Sequence, residues 1–402
     1  MNLIKNIIAR YLFNYRLKNQ LLDYVILRKL DLNGDSKKLF SKNLPRENKD
    51  CPSIAFIIPG MLKGSGGHTS ILRLGTYLTE LGHQVAYISY KPQNKTEMTS
   101  NAKSNLAGFK GEVLGPDALS KYNYDIGIAT FWLSAYYLWN ASNCNYKAYF
   151  IQDYEPDFYP SGDVSSFVKM TYRMGYHMIS LGPWNKNRIE KEIGVNVDEI
   201  IFPYEPGEYK YESGWESKFE TKKTFNVCVY LKRTEKRGPV LLLMGLEELY
   251  KTARARGFKL QISFFGDDKK LRYPICIPYR NLGKLGKKEL KKLYCESDFG
   301  IVFSYTNISL IPFEMMACRC PVVEVNDGSF SSFFDPECAI LVNSNPQDFV
   351  KKIMYYIEYP EERKKVTEVA IRSIEQKTWR EAVNQFRQII VDGYNGFEPK
   401  QD

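Results

Sequence analysis

Short apolar runs separated by longer amphipathic stretches fill the chain from residue 53 onward. The runs SIAFIIP, QVAYISY, YDIGIATF, KAYFIQD and HMISLG are rich in β-branched and aromatic residues, and segments of helical length lie between them. This alternation predicts buried parallel strands joined by helices. A second series, FNVCVYL, LQISFFG, FGIVFS, PVVEVN and CAILVN, repeats the pattern after residue 222. The sequence therefore predicts an α/β protein made of two similar halves.

Breaks in the pattern set the predicted domain boundaries. Residues 206–222, rich in Pro, Gly and charge, are predicted to link an N-terminal domain at 49–205 to a C-terminal domain at 223–375. Both domains are predicted to be Rossmann-like and doubly wound, because strands and helices alternate throughout each of them. An amphipathic stretch within residues 376–402 is predicted to form a helix that crosses back to the first domain.

Residues 1–48 are predicted to form a basic amphipathic helical extension. One helical stripe is apolar while Lys and Arg occupy other faces, the apolar members being Leu3, Ile4, Ile7, Ile8, Tyr11 and Leu12. No uninterrupted apolar stretch is long enough to span a bilayer. Two interpretations stay open, a helix lying on an anionic membrane surface and a helix packed on its own domain.

Composition and charge narrow the classes of partner. The net charge of +10 favours anionic partners, among which nucleic acid, phosphorylated small molecules and acidic lipid all qualify. Nucleic-acid binding is disfavoured because no recognisable reading module is present. The eight cysteines are scattered and no secretory signal precedes them, which predicts reduced thiols and a cytoplasmic location. The three histidines lie far apart, so neither a metal nor another cofactor is expected.

A glycine-rich loop follows the first predicted strand in IIPGMLKGSGGHTS. Gly66 and Gly67 stand where the backbone approaches a ligand or turns tightly, and free amides at the start of the next helix suit an anion or a sugar hydroxyl. The spacing departs from the dinucleotide-binding fingerprint, which excludes dehydrogenase chemistry as the leading interpretation. An empty loop of the fold is the alternative.

The stretch NLGKLGKKELKKLYCESDFGIVFSYTNISLIPFEMMACRCPVV resembles the nucleotide-sugar glycosyltransferases of the GT-B fold, in which two Rossmann-like domains face a cleft. The resemblance implies that Glu314 accepts hydrogen bonds from the ribose hydroxyls of the donor. Ser309 is then expected to cap the helix and to donate to a phosphate oxygen. Two positions depart from the family pattern, Thr306 in place of a second Glu and Arg319 in place of Gly. They leave the identity of the donor sugar open.

Cationic residues follow the strand FNVCVYL in the sequence VYLKRTEKRGP. Departure of a diphosphate without a metal needs fixed positive charge, and by resemblance Lys232 and Arg237 clamp the phosphates, with Arg233 as a substitute. A solvated charge run is the alternative. The resemblance also implies that the donor nucleobase lies against the segment Leu282, Gly283, Lys284 and Leu285. It adds Leu310, at the start of the helix, to the donor site.

A narrower likeness concerns YKAYFIQDYEPDFYPSG and LGPWNKNRI, which are similar to the WsaF-type bacterial rhamnosyltransferases. These take L-rhamnose from dTDP-L-rhamnose, and an inverting transfer of this kind needs a general base. Asp153 and Glu155 are the candidate bases, with His68 behind them, and Tyr154 and Tyr159 are predicted on the acceptor side. A polar rim that only binds acceptor hydroxyls is the alternative. The aromatic stretch TFWLSAYYLWN is predicted either to line the acceptor groove or to be core.

Together these features predict a metal-independent glycosyltransferase that moves L-rhamnose from dTDP-L-rhamnose to a glycan or lipid-linked glycan in bacterial polysaccharide synthesis. Three alternatives stay open: a transferase using a UDP-sugar, a sugar epimerase, and a catalytically degenerate sugar-binding or scaffold protein of the same fold. An anionic membrane surface is a candidate partner through residues 1–45.

Overall fold

The computed structural model describes residues 48–141, 143–267, 271 and 273–396. The extension predicted for residues 1–48 lies outside these ranges except for its last residue. In the part of the chain so described, no helix is long and apolar enough to cross a membrane.

The first half, as described, is a seven-stranded parallel sheet in the order β3-β2-β1-β4-β5-β6-β7. Its strands are β1 (Ile54–Ile58), β2 (Val85–Ser89), β3 (Glu112–Leu114), β4 (Tyr124–Ala129), β5 (Cys144–Ile151), β6 (His177–Leu181) and β7 (Asp198–Ile200). The connecting helices are α1 (Gly66–Glu80), α2 (Lys95–Asn105), α3 (Ala118–Lys121), α4 (Trp132–Trp139), α5 (Asp163–Thr171) and α6 (Pro183–Ile193). β1 and β2 are buried along their whole length, as expected for strands covered by helices on both faces.

The second half repeats this design with six parallel strands within the described ranges, in the order β10-β9-β8-β11-β12-β13. The strands are β8 (Thr224–Tyr230), β9 (Lys259–Phe265), β10 (Tyr279–Asn281), β11 (Phe299–Ile301), β12 (Val322–Val325) and β13 (Ile340–Val342). The helices are α7 (Pro239–Ala255), α8 (Lys287–Glu296), α9 (Leu310–Ala317), α10 (Pro346–Glu358), α11 (Pro360–Ile374) and α12 (Trp379–Gly396). The predicted fold of two doubly wound α/β domains is confirmed.

The strand order reverses beside β1 in the first sheet and beside β8 in the second. Chain segments on the two sides of such a point diverge, which leaves a crevice at the carboxyl ends of the strands. The loops concerned follow β1 and β4 in one half and β8 and β11 in the other. The predicted glycine-rich loop, the cationic run and the segment before Glu314 all belong to this set.

Aromatic packing joins the two halves. Phe202, just after β7, stacks on Phe313 of α9 with ring centroids 5.1 Å apart. The last helix, α12, packs on the first sheet, since Phe386 contacts Phe150 with centroids 5.5 Å apart and Tyr394 donates a hydrogen bond to Asp125 at 3.2 Å. The polypeptide thus returns from the second half to the first.

Candidate functional site

The carboxyl ends of the two sheets are in direct contact. Asn307, in the loop after β11, donates from its side-chain amide to the carbonyl of Gln152 at 2.8 Å and to that of Leu181 at 3.0 Å. These carbonyls stand at the ends of β5 and β6, so one side chain of the second lobe seals two strand ends of the first. The lobes are held in a closed arrangement.

Asp153 lies at the centre of this contact. Its carboxylate accepts hydrogen bonds from three groups of the opposite lobe. They are Lys236 Nζ at 2.8 Å, Thr306 Oγ1 at 3.1 Å and the backbone amide of Asn307 at 3.0 Å. The neighbouring Tyr154 amide donates at 2.9 Å. A carboxylate has about four lone-pair sites, so Asp153 must release one donor before it can take a proton from an acceptor hydroxyl. In the closed arrangement it connects the lobes.

Lys236 is the cation that the sequence pattern did not single out. It belongs to the same run as the predicted clamp residues, and nothing in the spacing separates it from them. The structure distinguishes Lys236 from them, because the Lys236 ammonium contacts Asp153 and lies 4.0 Å from the centre of the Phe158 ring, both in the first lobe. Only the packing of the two lobes against each other reveals this position.

The three predicted clamp cations surround the carboxyl end of β8, and each is engaged by the protein. Lys232 donates to the Gly266 carbonyl. Arg233 pairs with Asp267 through Nε at 2.8 Å. Arg237 is buried and donates to the Phe303 carbonyl at 3.2 Å and to Ser304 Oγ at 2.7 Å. A phosphate would therefore have to compete with these partners, most of all at Arg237.

Behind Arg237, a buried carboxyl orders the loop after β11. Glu324 accepts from the Ser304 amide at 2.7 Å and from the Val325 amide at 3.0 Å. Burial raises the pKa of Glu324 to about 8, against the opposing effects of the Val325 amide and of the Arg237 charge. Arg237 thus supports the loop that carries Thr306 and Asn307.

Glu314 occupies α9 as predicted but lies under cover. Its residue is 9% exposed, and its carboxylate accepts from the Tyr294 hydroxyl at 3.4 Å and from the Tyr209 hydroxyl. Burial raises the pKa of Glu314 to about 7, and the hydrogen bond from Tyr209 opposes this shift. Two tyrosine hydroxyls therefore donate the hydrogen bonds to Glu314 that were predicted to come from the ribose hydroxyls.

The cover comes from the segment between the domains. Tyr209 of this segment contacts Glu314 of α9 through its hydroxyl. Glu208 of this segment forms ion pairs with Arg73 of the first lobe and, at 2.5 Å, with Lys287 of the second. The segment that covers Glu314, which the resemblance predicted to face the donor ribose, is thus bound to both lobes.

Several buried polar atoms at these sheet edges lack a hydrogen-bond partner among the residues that the structure describes. They are His68 Nδ1, Asn185 Oδ1 and Nδ2, Asn307 Oδ1, Ser309 Oγ and Glu324 Oε2. Most buried polar atoms in proteins are hydrogen-bonded, and each exception calls for an explanation. Asn307 and Ser309 belong to the segment between β11 and α9, and His68 to the first turn of α1, so three of these atoms lie at the carboxyl ends of the two sheets, a place suited to a polar ligand.

His68 lies in the first turn of α1, beside the predicted glycine loop. Burial lowers the pKa of its imidazole, against the raising effect of the Gly60 carbonyl, and thus favours the neutral ring. A Cβ on Gly67 would come 3.4 Å from the Gln152 side chain, which explains a glycine at this close approach, whereas Gly66 faces open space. The loop therefore reaches the residue next to Asp153.

The position of Glu155 does not favour the predicted role as a base. Its residue is 3% exposed, and its carboxylate accepts from the Trp132 amide at 2.7 Å and from the Tyr149 hydroxyl at 3.1 Å. Burial raises the pKa of Glu155 to about 8, and the Trp132 amide opposes this shift. The side chain satisfies the start of α4 and lies within an aromatic core that an acceptor does not reach.

The aromatic residues predicted at the acceptor side also belong to this core. Tyr154 is buried under Arg188, whose guanidinium lies 4.2 Å from the ring centre, and it donates to Glu192 at 2.6 Å. Tyr159 accepts from the Trp132 indole at 2.9 Å. The stretch TFWLSAYYLWN forms α4, and its buried rings make it core, the second of the two predicted alternatives.

The remaining donor-site residues lie along the same edge of the second sheet. The Gly266 amide donates to the Gly283 carbonyl at 2.9 Å, and the Leu282 amide donates to the Phe264 carbonyl at 2.9 Å. Lys284 and Leu285 continue this turn towards α8, and Leu310 opens α9 next to Ser309. The structure thus brings the segment that was predicted to hold the nucleobase to the end of β9, one strand away from the cationic run.

Two cavities of the described chain differ in their relation to the site. One of 1170 Å³ lies on the outer face of the second domain, between α7 and α10, and is remote from both switch points. One of 460 Å³ lies between the lobes, lined in part by Trp184 and Arg188 of α6 and by Tyr305 and Asp327. The smaller one is lined by Tyr305, the residue before Thr306, and its volume falls in the range of about 300–1,000 Å³ typical of ligand sites. We take it as the part of the interlobe crevice that stays open.

In residues 48–396, gaps aside, no three His, Cys, Asp or Glu side chains are grouped so as to hold a metal ion. Metal independence itself stays a prediction.

Glu155 provides a test of this core that is separate from any activity. Its pKa is about 8 in the fold against an ordinary value of 4.5, so the folded chain holds one extra proton between these pH values. The stability it contributes is complete below pH 4.5 and is lost as the pH rises to 8. For Glu155→Gln, we expect the free energy of unfolding to fall less steeply over this interval, by about 1.4 kcal/mol per pH unit. Urea titrations at several pH values measure the slope, and parallel slopes would contradict the assignment.

Comparison with known proteins agrees with this arrangement. Residues 240–388 match the family model described as Glycosyl transferase-like. The O-antigen biosynthesis protein RfbC of Myxococcus xanthus is 24% identical over 277 residues, which cover 65% of this chain and 20% of that protein. The chain therefore spans about a fifth of the length of this curated relative.

Solved structures of similar fold cover nearly all of the described chain. Anabaena Alr3699/HepE in complex with UDP-glucose superposes with a TM-score of 0.65 at 12% identity, covering 86% of this chain and 100% of that one. Sucrose-phosphate synthase from Thermosynechococcus elongatus gives a TM-score of 0.63 at 12% identity, with the same coverage of 86% and 100%. The starch synthase IV catalytic domain of Arabidopsis thaliana, bound to ADP and acarbose, gives 0.59 at 11% identity, covering 86% and 100%. The predicted GT-B architecture is confirmed.

Proposed function

We propose that this chain is a glycosyltransferase that binds a nucleotide-sugar donor at the carboxyl edge of the second sheet and transfers the sugar to a glycan acceptor in polysaccharide synthesis. The match of residues 240–388 to a glycosyltransferase-like family model supports the reaction class. The likeness to a protein named for O-antigen biosynthesis supports the pathway. The observation that carries the proposal is the set of buried polar atoms without partners where the two sheet edges face each other.

On the donor side, each group has a distinct task. The amides at the start of α9, together with Ser309 Oγ, suit phosphate oxygens, because a helix start carries partial positive charge. Glu314 accepts from the ribose hydroxyls in place of the tyrosine hydroxyls that it binds in the closed protein. Lys236 and Arg237 supply positive charge near the diphosphate, which gains negative charge as it leaves.

In the transfer step, an acceptor hydroxyl oxygen attacks the anomeric carbon and the bond from that carbon to the diphosphate oxygen breaks. The hydroxyl proton passes to a base, and the nucleoside diphosphate leaves with the bonding electron pair. Asp153 is the carboxylate at the interlobe contact that is able to serve once a donor is withdrawn. His68 is buried at the start of α1, and burial lowers the pKa of its imidazole, which favours the neutral ring and makes it the second candidate.

For the donor, we propose dTDP-L-rhamnose, supported by the sequence likeness around residues 146–162 and 181–189. UDP-sugars are the competing candidate, supported by the fold likeness to a protein solved with UDP-glucose. Thr306 supports neither, because its hydroxyl is engaged with Asp153 in the closed protein.

A thermal-shift panel of dTDP, UDP, GDP and ADP tests the proposal. A ligand that binds only the folded chain adds about 2.7 kcal/mol of stability at 100 times its Kd, so the cognate nucleotide is expected to give the largest rise in Tm. Transfer or hydrolysis of the matching nucleotide sugar, followed with a small saccharide acceptor, then separates an enzyme from a binding scaffold. A panel in which no nucleotide raises Tm would overturn the proposed donor site.

A further inference from the structure

Four cysteines lie at the end of α9 and on elements that share its hydrophobic core. Cys318 and Cys320 flank Arg319 at the end of that helix, while Cys295 belongs to α8 and Cys228 to β8. α8 and α9 pack against each other at this place, since the Tyr294 hydroxyl on α8 donates to Glu314 on α9 at 3.4 Å. The Cys295 and Cys318 thiols shift each other's pKa, as do those of Cys228 and Cys320. The described His, Cys, Asp and Glu side chains form no metal-holding group here or elsewhere, so a thiol function is the chemistry that the cluster offers.

The cluster surrounds a buried ammonium group. Lys218 is buried, and its charge acts on Cys228, Cys295 and Cys320. Its Nζ donates to the Arg319 carbonyl at 3.0 Å, which holds it between the two cysteines that end α9. Burial lowers the pKa of Lys218, while Asp298 and the neighbouring cysteines oppose this shift. In its charged form the ammonium favours the thiolate form of a neighbouring cysteine that solvent also reaches.

Cys295 is the member of the cluster that solvent reaches. It is partly exposed, whereas Cys228, Cys318 and Cys320 are buried. The hydrogen bond from Cys318, opposed by partial burial and helped by the charges of Lys218 and Lys291, lowers the pKa of Cys295 to about 7. The same hydrogen bond, together with burial, raises the pKa of the Cys318 thiol. An accessible thiolate therefore faces a buried thiol.

We propose that Cys295 is an oxidation site for peroxides and that Cys318 closes a reversible disulfide with it. The Cys295 thiolate attacks one oxygen of hydrogen peroxide, the O–O bond breaks, and a sulfenic acid and hydroxide result. The Cys318 sulfur then attacks the Cys295 sulfur, the S–O bond breaks, and the departing hydroxide takes the Cys318 proton as water. Overall, two thiols are oxidised and one peroxide is reduced to two waters, and a dithiol reverses the change.

The geometry links this site to the donor site, a step that rests on the proposed function. The Cys318 amide donates to the Glu314 carbonyl at 3.1 Å, so both residues share the last turn of α9. Arg319 follows with φ of 53°, a left-handed conformation that only this non-glycine residue adopts among those described. Its guanidinium lies 4.1 Å from the centre of the Trp215 ring. Because Glu314 and Cys318 share this turn, a disulfide that displaces Cys318 also displaces Glu314.

The experiment treats the full chain with hydrogen peroxide, blocks remaining thiols with iodoacetamide and maps disulfides by mass spectrometry. We expect a Cys295–Cys318 linkage that dithiothreitol removes. Cys295→Ser should abolish it, whereas Cys276→Ser, which changes an exposed cysteine outside the cluster, should retain it. In Cys318→Ala, Cys295 is expected to stop at the sulfenic acid, which dimedone traps.

Nucleotide binding gives the second readout. We expect oxidation to weaken binding of the nucleotide selected by the thermal-shift panel by about tenfold, with recovery on reduction. Cys295 remaining a free thiol after peroxide treatment would overturn the proposal, as would a linkage that survives in Cys295→Ser. The mapping of disulfides does not depend on any nucleotide, so failure of the proposed function and failure of the oxidation site give different results.

Discussion

Asp153→Asn is expected to lower turnover by about 10³-fold while changing donor affinity little, within the 10²–10⁴-fold range of general-base catalysis. The substitution keeps the size of the side chain but removes the negative charge that faces Lys236 at 2.8 Å. An amide cannot take the acceptor proton, so the chemical step loses its base. Steady-state kinetics with a saturating donor measure the effect. Asp163→Asn, which changes an exposed acid at the start of α5 in the same lobe, is the matched control.

A structural role for Asp153 predicts a different pattern. Thr306→Val removes one interlobe donor and leaves the carboxylate intact. If Asp153 only connects the lobes, Thr306→Val should lower turnover in the same direction, by weakening the closed arrangement. If Asp153 is the base, Thr306→Val should leave turnover unchanged or raise it, since the carboxylate then has one donor less to release. Wild-type turnover in Asp153→Asn would remove it from catalysis and leave His68 as the candidate.

The fold was predictable because periodicity reports burial. Strands covered on both faces read as continuous apolar runs, and β1 and β2 are both of this kind. The crossing of α12 followed from its amphipathic pattern after the last strand. No local sequence pattern predicts how the two lobes are oriented relative to each other. Their orientation depends on side chains such as Asn307, which donates to a carbonyl at a strand end of the other lobe.

The candidate site was predictable where the chain itself fixes a position. Ser309 and Glu314 stand at the start and in the body of one helix, so the sequence alone places both near a strand end. The sequence did not predict that Glu155 is buried. Asp153 and Glu155 are both acidic and lie two residues apart in the same polar stretch, so the pattern does not distinguish them. Only the structure shows that one faces the other lobe while the other satisfies the start of α4.

The second large effect is expected for Glu314→Ala, which should weaken binding of the nucleoside diphosphate by about 100-fold. Hydrogen bonds to a charged group contribute about 1.5–3 kcal/mol each, and two ribose hydroxyls facing one carboxylate account for a loss of this size. Isothermal titration calorimetry measures it, with Glu296→Ala, an exposed acid on α8, as the control. Unchanged affinity in Glu314→Ala would take the residue out of the donor site.

The pH dependence of that affinity separates recognition from mere packing. The pKa of Glu314 is raised to about 7 by burial, so the free protein holds the neutral acid below this pH and the carboxylate above it. Ribose hydroxyls donate best to the carboxylate, and wild-type affinity should therefore fall as the pH drops below 7. Glu314→Gln has no such titration and should bind weakly at every pH. If Glu314 were only a packing residue satisfied by Tyr209 and Tyr294, both proteins would show the same profile, because its protonation would leave the nucleotide untouched.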